Sequence, residues 1–154
     1  MACYFAKLNE SNVVIQTVVV GDDIPTANGP LSDNPCHVDG ETYCQKLFKN
    51  SNTWKQYFRD GSRRLRRAGL AYTYDAEKDI FIAAQPFPSW SLNSDGTEWV
   101  APVALPENPE AADGIGLTYV VDWDEDNKRW TGKKRSDNYS NWSWNVLNST
   151  WEVV

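Results

Sequence analysis

The stretch Tyr74–Phe81, YDAEKDIF, contains the pattern that decides the fold, because versions of it recur three times later in the chain. In each version an aromatic residue is followed by Asp, Asn or Ser, then by a short polar run, then by a second aromatic residue. The other versions are WSLNSDGTEW at Trp90–Trp99, WDEDNKRW at Trp123–Trp130 and WNVLNSTW at Trp144–Trp151. We interpret each as a β-hairpin with one aromatic residue on each strand and the polar run in the turn.

The composition indicates a chain that packs through aromatic rings. Of its 154 residues, 41% are hydrophobic, and these include eight Trp, seven Tyr and five Phe but a single Met. An aromatic side chain buries about 150–250 Å², so a few of them can supply most of a small core. The length fits one domain, or one domain with a small appendage. We therefore expect small cores of stacked rings, or a surface that grips a partner through rings.

Charge and cysteine content argue against two classes of site. The formal net charge of −6 argues against general affinity for nucleic acid, which requires a clustered positive field. Cys3, Cys36 and Cys44 are odd in number and lack CxxC spacing, so neither a zinc site nor a disulfide framework is indicated. Free, partly buried thiols are favoured over a Cys36–Cys44 bridge.

Nothing in the sequence points to a membrane. No apolar run reaches the ~18 residues of a membrane span. The first residues, MACYFAKLNE, lack the basic-then-apolar layout of a secretory signal. We expect a protein that is made in the cytoplasm and has no membrane partner.

The N-terminal segment predicts a hairpin. Tyr4–Leu8 and Val13–Val20 are strand-like and are separated by four turn-forming residues, Asn9–Asn12. Because Val18–Val20 is apolar on both faces, we expect the second strand to be central and covered. The following residues, 22–35, are rich in Pro, Asp and Asn and predict a surface loop.

One helix is predicted, over Asp39–Lys49 (about 39–49). Asp39 is placed to cap its start, and Cys44, Leu47 and Phe48 have the i, i+3, i+4 spacing of one apolar stripe. We expect this helix to cover one face of the N-terminal sheet. Trp54–Arg59 then predicts a further strand, which turns at Asp60-Gly61.

These elements predict a mainly β fold with one short α-helix, in which an antiparallel sheet domain is followed by aromatic β-hairpin repeats. Residues 106–116, PENPEAADGIG, have the composition of a linker. The predicted organisation is therefore an N-terminal β-rich domain over residues 1–105, the linker 106–116, and a Trp-rich hairpin unit over residues 117–154.

A basic cluster stands out in this acidic chain and is a candidate protein-contact site. It could be a solvated surface segment, or it could contact an acidic partner. It lacks neighbouring stacking aromatics, so nucleic acid is not expected. Its members are Arg63, Arg64, Arg66 and Arg67.

The sequence predicts no enzyme. His37 is the only histidine and lies in a proline-flanked loop, and the sequence holds no GxSxG, HExxH or Gly-rich phosphate motif. The carboxylates that could act in pairs fall in or beside predicted turns, where turn chemistry already favours them. Asp122, Asp124 and Asp126 have the spacing of a calcium loop, but its Gly and Glu positions hold Asn127 and Lys133. We predict no catalytic, metal or cofactor-binding residues.

The C-terminal tryptophans are the second candidate contact site. Trp142, Trp144 and Trp151 lie in the last predicted hairpin, close to the end of the sequence. They could stabilise the hairpin as cross-strand pairs, or they could stack on the sugar rings of a host glycan. Structure is favoured over ligand binding, and both interpretations stay open.

Three segments in the first two thirds of the chain carry a resemblance. They are an AGxxYTYD segment at Ala68–Asp75, an FIxxQPFPSW segment at Phe81–Trp90, and a Trp followed by APV at Trp99–Val103. In this order they resemble a family of small virion-associated or uncharacterised structural proteins of tailed bacteriophages, especially phages of marine bacteria. The resemblance spans Tyr4 to Pro106. The arginine cluster departs from the family pattern.

The resemblance implies a non-enzymatic structural protein of the virion, assembled in the host cytoplasm. We expect a capsid decoration or cement protein, present in multiple copies or as a homo-oligomer, with other virion proteins as partners and the major capsid protein foremost. The alternative is a tail or fibre component that contacts host glycans through exposed Trp residues. The resemblance implies no catalytic residues.

Overall fold

A computed structural model describes residues 2–106, 119–134 and 140–154. The chain is mainly β with a single α-helix in the described parts, as predicted. It divides into two compact units, Met1–Ala84 and Gln85–Val154. The strands of the first unit are β1 (Ala2–Leu8), β2 (Val14–Gly21), β3 (Pro25–Thr26), β4 (Gly29–Pro30), β5 (Thr53–Tyr57), β6 (Thr73–Asp75) and β7 (Ile80–Ile82), and its helix is α1 (Val38–Leu47).

The first unit is built around β1, which is covered on both faces. Its strands pair in the order β2-β1-β5, all antiparallel. Cys3 and Phe5 point to one face and pack with Leu31, Cys44 and Trp54. The alternate residues of β1 point to the other face and join a second core, which consists of Ala6, Leu8, Val14, Tyr57, Ala68, Tyr74 and Phe81.

The prediction that the second strand is central and covered is wrong. The strand β2 lies at the edge of the sheet, and Val19 on it is 60% exposed. The central position belongs to β1, because the return of β5 to its other side closes the sheet there. The apolar run Val18–Val20 is instead half covered on one face, where Val18 and Val20 pack against the core that contains Phe5.

Helix α1 covers one face of the sheet, as predicted, but its details differ. The cap is His37, whose side chain accepts a hydrogen bond from the Asp39 backbone N–H, so the prediction of an Asp39 cap is wrong. Leu47, which was predicted to lie in the apolar stripe, is 49% exposed. The buried residues of the helix are Gly40 and Cys44. A Cβ on Gly40 would lie only 2.6 Å from the Phe5 ring, so glycine permits the close approach of helix to sheet.

The second unit holds six strands in the described residues. They are β8 (Ser91–Leu92), β9 (Trp99–Val100), β10 (Tyr119–Asp124), β11 (Arg129–Lys134), β12 (Ser140–Asn145) and β13 (Thr150–Val153). The last four form one antiparallel sheet in sequence order. Three predicted hairpins place their aromatic residues directly opposite each other, which confirms that part of the prediction; the pairs are Tyr74 with Phe81, Trp123 with Trp130, and Trp144 with Trp151.

The fourth hairpin was predicted with the wrong partner. Trp99 lies opposite Leu92, and Trp90 precedes the strand. The separation of seven residues is therefore kept, and the turn after Leu92 is closed by a hydrogen bond from the Asn93 N–H to the Glu98 carbonyl at 2.9 Å. The Asn93 side chain accepts a hydrogen bond from the Thr97 N–H, and Gly96 has a positive φ of 68°.

Trp90 packs against the hairpin of β10 and β11 instead. Its ring packs edge-on against Trp123 and Trp130, with centroid distances of 6.1 and 5.9 Å. Residues 85–105, which we predicted as part of the N-terminal domain, therefore belong to the second unit. Apart from Pro106, the predicted linker 106–116 lies outside the described residues.

Glu125 ties the segment that contains Trp90 to the hairpin of β10 and β11. It accepts hydrogen bonds from the Ser89 N–H and Oγ, at 3.0 and 2.7 Å, and from the Trp123 indole N–H at 2.8 Å. Lys128 lies beside the same carboxylate. Partial burial opposes ionisation of Glu125, but the donors from Lys128, Ser89 and Trp123 outweigh it and lower its pKa to about 2.

We expect the Glu125 carboxylate to stabilise the fold above its ordinary pKa of 4.5, and we expect that stabilisation to be lost as the pH falls towards about 2. In urea unfolding followed by far-UV circular dichroism, Glu125→Gln should lower the midpoint at pH 7. The difference from the parent chain should shrink steadily below pH 4.5. Glu10→Gln alters an exposed turn carboxyl and serves as the control. A deficit that is the same at pH 7 and pH 2.5 would contradict the assignment.

Candidate functional site

The arginine cluster lies in the loop between β5 and β6, where the backbone takes an unusual course. Arg64 and Leu65 both have positive φ values, 57° and 69°. Two consecutive left-handed residues that are not glycine are strained, and they persist only where the surroundings hold them. With this backbone conformation, neighbouring arginine side chains point in different directions. Arg64 is buried, whereas Arg63 and Arg67 are exposed.

Arg64 is an internal cross-link of the first unit. Its Nη1 donates to the Gln56 carbonyl of β5 at 2.6 Å. Its Nε lies 2.7 Å from Asp79 Oδ1 in an ionic contact without hydrogen-bond alignment, and its guanidinium lies 5.6 Å from the centre of the Tyr74 ring. Asp79 also accepts a hydrogen bond from the Tyr74 hydroxyl. One buried cation therefore joins β5 to the hairpin of β6 and β7.

The candidate contact site in the cluster is consequently smaller than the sequence suggested. Arg64 does not contribute to an exposed basic surface, because its side chain is 5% exposed. Arg63 is exposed and lies over the Phe58 ring at 5.6 Å. Arg66 is half-buried, and Arg67 is exposed.

Arg67 takes part in a cleft that sequence analysis missed. The cleft has a volume of about 230 Å³ and is lined by Tyr4, Tyr57, Arg59, Arg67, Ala68, Gly69 and Tyr72, which we call the tyrosine–arginine cleft. Two guanidinium groups and three phenol rings line it, and no carboxylate does. Arg59 lies at the end of the predicted strand Trp54–Arg59, and no local pattern connects it with Arg67. Only the pairing of β1 with β5 and the path of the later loop bring them together.

A second cavity adjoins this cleft and shares three residues with it. It has a volume of about 370 Å³, and Tyr4, Tyr57 and Arg59 line both spaces. The rings of Tyr4 and Tyr57, directly opposite on β1 and β5, are 5.6 Å apart and tilted by 44°. The remaining lining includes the apolar side chains of Leu31, Pro35 and Phe58 together with the acidic side chains of Asp22 and Asp60.

The C-terminal tryptophans lie on one face of the four-stranded sheet. Residues directly opposite in antiparallel strands point to the same side. The register therefore places one largely apolar set of residues on a single face of the sheet. We call it the tryptophan face; it consists of Val121, Trp123, Trp130, Gly132, Trp142, Trp144, Trp151 and Val153. The opposite face is polar, and one row across it reads Asp122, Thr131, Ser143 and Glu152.

Among the described residues, the tryptophan face is covered at one end only. Trp123 and Trp130 are buried and are packed by Trp90, and the Trp130 indole N–H donates to the Val103 carbonyl at 2.9 Å. At the other end Trp144 and Trp151 contact each other edge-on at 5.5 Å and, like Trp142, are half-buried. Val153, which lies opposite Trp142 on the same face, is 66% exposed. An apolar patch with accessible ring area therefore remains.

The groups with potential for chemistry have structural surroundings. Burial, with Glu41 and Cys3 adding to it, raises the pKa of the Cys44 thiol to about 12, and burial also raises that of Cys3. Cys3, Cys36 and Cys44 are all free thiols. Asp124 accepts from Asn127 and Arg129 within its turn. Across residues 2–106, 119–134 and 140–154, no group of three or more His, Cys, Asp or Glu side chains could hold a metal ion.

No helix in the described ranges is long and apolar enough to cross a membrane. The chain matches no protein-family model, no curated protein and no solved structure.

We expect Arg64→Met to lower the free energy of unfolding by about 1–3 kcal/mol, because it leaves the buried Gln56 carbonyl without its donor. Arg63→Met removes an exposed arginine from the adjacent position and should change stability by no more than about 0.5 kcal/mol. Urea unfolding of both variants measures the difference. Equal effects would show that Arg64 is not the cross-link described above.

Proposed function

We propose that this chain is a non-enzymatic structural protein of a bacteriophage virion that decorates the capsid and docks through the tyrosine–arginine cleft on an acidic surface of another virion protein. The observation that supports docking is the cleft itself, where two arginines stand beside tyrosine rings without a lining carboxylate. The phage assignment rests on the three resembling segments between Ala68 and Val103.

The charge of the cleft favours an acidic partner. The chain as a whole has a net charge of −6, so a second acidic surface would be repelled almost everywhere else on it. Arg59 and Arg67 offer a local exception and would fix both the site and the orientation of contact. Arginine also suits the bidentate recognition of carboxylates.

The cleft is built on rigid elements, which favours selective docking. Tyr4 lies on the central strand β1 and packs beside the second core, and Tyr57 belongs to that core. Tyr72 is held by its backbone, since its carbonyl accepts from the Val14 N–H at 2.7 Å. A preorganised surface loses little conformational entropy on binding. Many copies on a lattice would then multiply a modest affinity through avidity.

The double variant Arg59→Ser/Arg67→Ser tests the docking site. Its affinity for virions that lack the chain should fall at least about tenfold, because both cations of the cleft are removed. The matched control is Arg63→Ser/Lys78→Ser, which removes the same charge from exposed positions outside the cleft. The measurement is co-sedimentation with purified virions at two salt concentrations. Equal binding of both double variants would exclude the cleft, and binding of the parent chain to tails alone would exclude capsid decoration.

A second candidate function is a tail or fibre component that contacts host glycans, and the tryptophan face favours it. Trp142, Trp144 and Trp151 lie on one face of the sheet and keep accessible ring area. Trp144 lies opposite Trp151, and Trp142 lies opposite the exposed Val153. Indole rings combine a large apolar area with a donor N–H, which suits the faces and hydroxyl groups of sugars.

A glycan array with the purified chain tests this second function. Specific binding that falls at least about tenfold in Trp144→Ala, and not in Leu147→Ala, would favour the tail assignment. Leu147 is 97% exposed in the neighbouring turn and controls for the loss of an exposed apolar side chain. Because Trp144 also packs on Trp151, circular dichroism must confirm that the variant is folded. An array without specific binding excludes the glycan role.

A further inference from the structure

We propose that the outer edge of β2 pairs antiparallel with the same edge of a second copy of this chain, about a two-fold axis at Val18. The inference concerns a different surface from the tyrosine–arginine cleft and does not rest on the virion role.

The outer edge of β2 is used only at its start in the described residues. There the Val14 N–H donates to the Tyr72 carbonyl at 2.7 Å, and the Ala71 N–H donates to the Val14 carbonyl at 3.0 Å. Val13 also forms a bridge with Thr73. From Ile15 to Gly21, which we call the open edge, no described strand pairs with β2 on this side. The chain itself thus shows that this edge accepts a partner.

From Gln16 onwards the open edge lacks the features by which natural edge strands avoid pairing with one another. Exposed edge strands usually carry Lys or another charge, a proline or a bulge. The sequence of β2, VIQTVVVG, has no charge and no proline. Its pairing with β1 is regular from Gln16 to Gly21. The one irregularity lies between Val14 and Gln16 and leaves Ile15, the first residue of the open edge, without a partner on β1. Ile15 and Val19 are 46% and 60% exposed, so a β-branched, uncharged strand faces outward.

The opposite edge of the same sheet provides a contrast. There the guanidinium of Arg64 donates to the Gln56 carbonyl of β5. Lys55 on the same strand forms an ion pair with Glu41, at 3.0 Å. Charged side chains therefore protect β5, and nothing comparable is present on β2 among the described residues.

Charge favours a second copy in the antiparallel direction. Asp22 and Asp23 follow the open edge directly. Parallel pairing would place the two acidic pairs side by side, whereas antiparallel pairing moves them to opposite ends of the joint sheet. The paired segments themselves are neutral, so two copies of an acidic chain meet there without like charges opposite each other. An isologous contact of this kind closes after two copies.

The limits of the open edge fix the register. Val14 is already occupied by Tyr72, and Gly21 ends the strand, so seven residues remain and Val18 is their centre. A two-fold axis through an antiparallel pair always places one residue opposite its own copy. Val18 would face Val18, and Thr17 would face Val19. Two three-stranded sheets would then become one sheet of six strands.

A single added strand pair buries less than the roughly 1,200–2,000 Å² of a stable standard interface. The dimer should therefore form at high concentration and dissociate on dilution. Sedimentation of the full chain over a concentration series measures this equilibrium.

In Val19→Lys, two lysines would be brought to the paired edge, and the dimer dissociation constant should rise at least about tenfold. Val120→Lys is the matched control, since it makes the same change of charge at a valine that is 48% exposed on another sheet. A parent chain that stays monomeric up to about 1 mM, or a Val19→Lys dimer as stable as the control, would overturn the proposal.

A cysteine scan identifies the register without weakening the edge. In a Cys36→Ser background, where the remaining native thiols of Cys3 and Cys44 are buried, single cysteines replace Gln16, Thr17, Val18 and Val19 in turn. Under mild oxidation Val18→Cys should give the most disulfide-linked dimer, and Thr150→Cys on β13 should give none. Linkage at Thr150 to the same extent, or no linkage along β2, would show that the copies associate elsewhere. Neither result would alter binding through Arg59 and Arg67.

Discussion

The cross-strand pair of large apolar side chains, seven residues apart around a four-residue turn, is the constraint on which most of this chain depends. In its turn an Asx residue after the first member of the pair accepts a backbone hydrogen bond, as Asp75 does from Glu77 and Asn145 does from Leu147. In the three hairpins with paired rings the last turn residue has positive φ, at 51° in Asp79 and 53° in Ser149. The turn sets the register, and the register sets the ring pair.

The same hairpin motif has a different environment at each of its three ring pairs. The pair Tyr74–Phe81 lies inside the second core of the first unit. The pair Trp123–Trp130 is covered by the Trp90 ring, and the pair Trp144–Trp151 keeps part of its ring area accessible. Since an isolated hairpin is marginal in water, the first two pairs gain stability from what covers them. The third adds its strands to a sheet that the second has already begun.

The sequence predicts what depends on neighbours along the chain, and it fails where distant segments meet. The seven-residue spacing and the turn residues are local, so three ring pairs, the N-terminal hairpin and the single helix could be predicted. The edge position of β2 depends on the side of β1 with which β5 pairs, and the sequence of β2, VIQTVVVG, does not determine that side. Arg64 looked like part of a surface cluster because its burial depends on Gln56 and Asp79, which are distant in sequence.

The same limit applies to the candidate sites. Trp142, Trp144 and Trp151 could be singled out because they fall in the last predicted hairpin, and the register places them on one face. Arg59 could not be connected with Arg67, because their cleft is assembled from the ends of β1 and β5 and a later loop. A composition of eight Trp says that rings matter, but only the fold separates the covered rings from the accessible ones.

The uneven distribution of the ring pairs has a spectroscopic consequence. Seven of the eight tryptophans lie in the second unit, and Trp54 alone lies in the first, with an exposed fraction of zero. Indoles 5–6 Å apart at steep interplanar angles, such as Trp123 with Trp130 and Trp144 with Trp151, couple their excited states. The exciton-coupled part of the near-ultraviolet dichroism and most of the tryptophan fluorescence of this protein should therefore come from one unit. Emission from Trp54, stacked on Phe48 at 5.0 Å, is the intrinsic indole signal of the other.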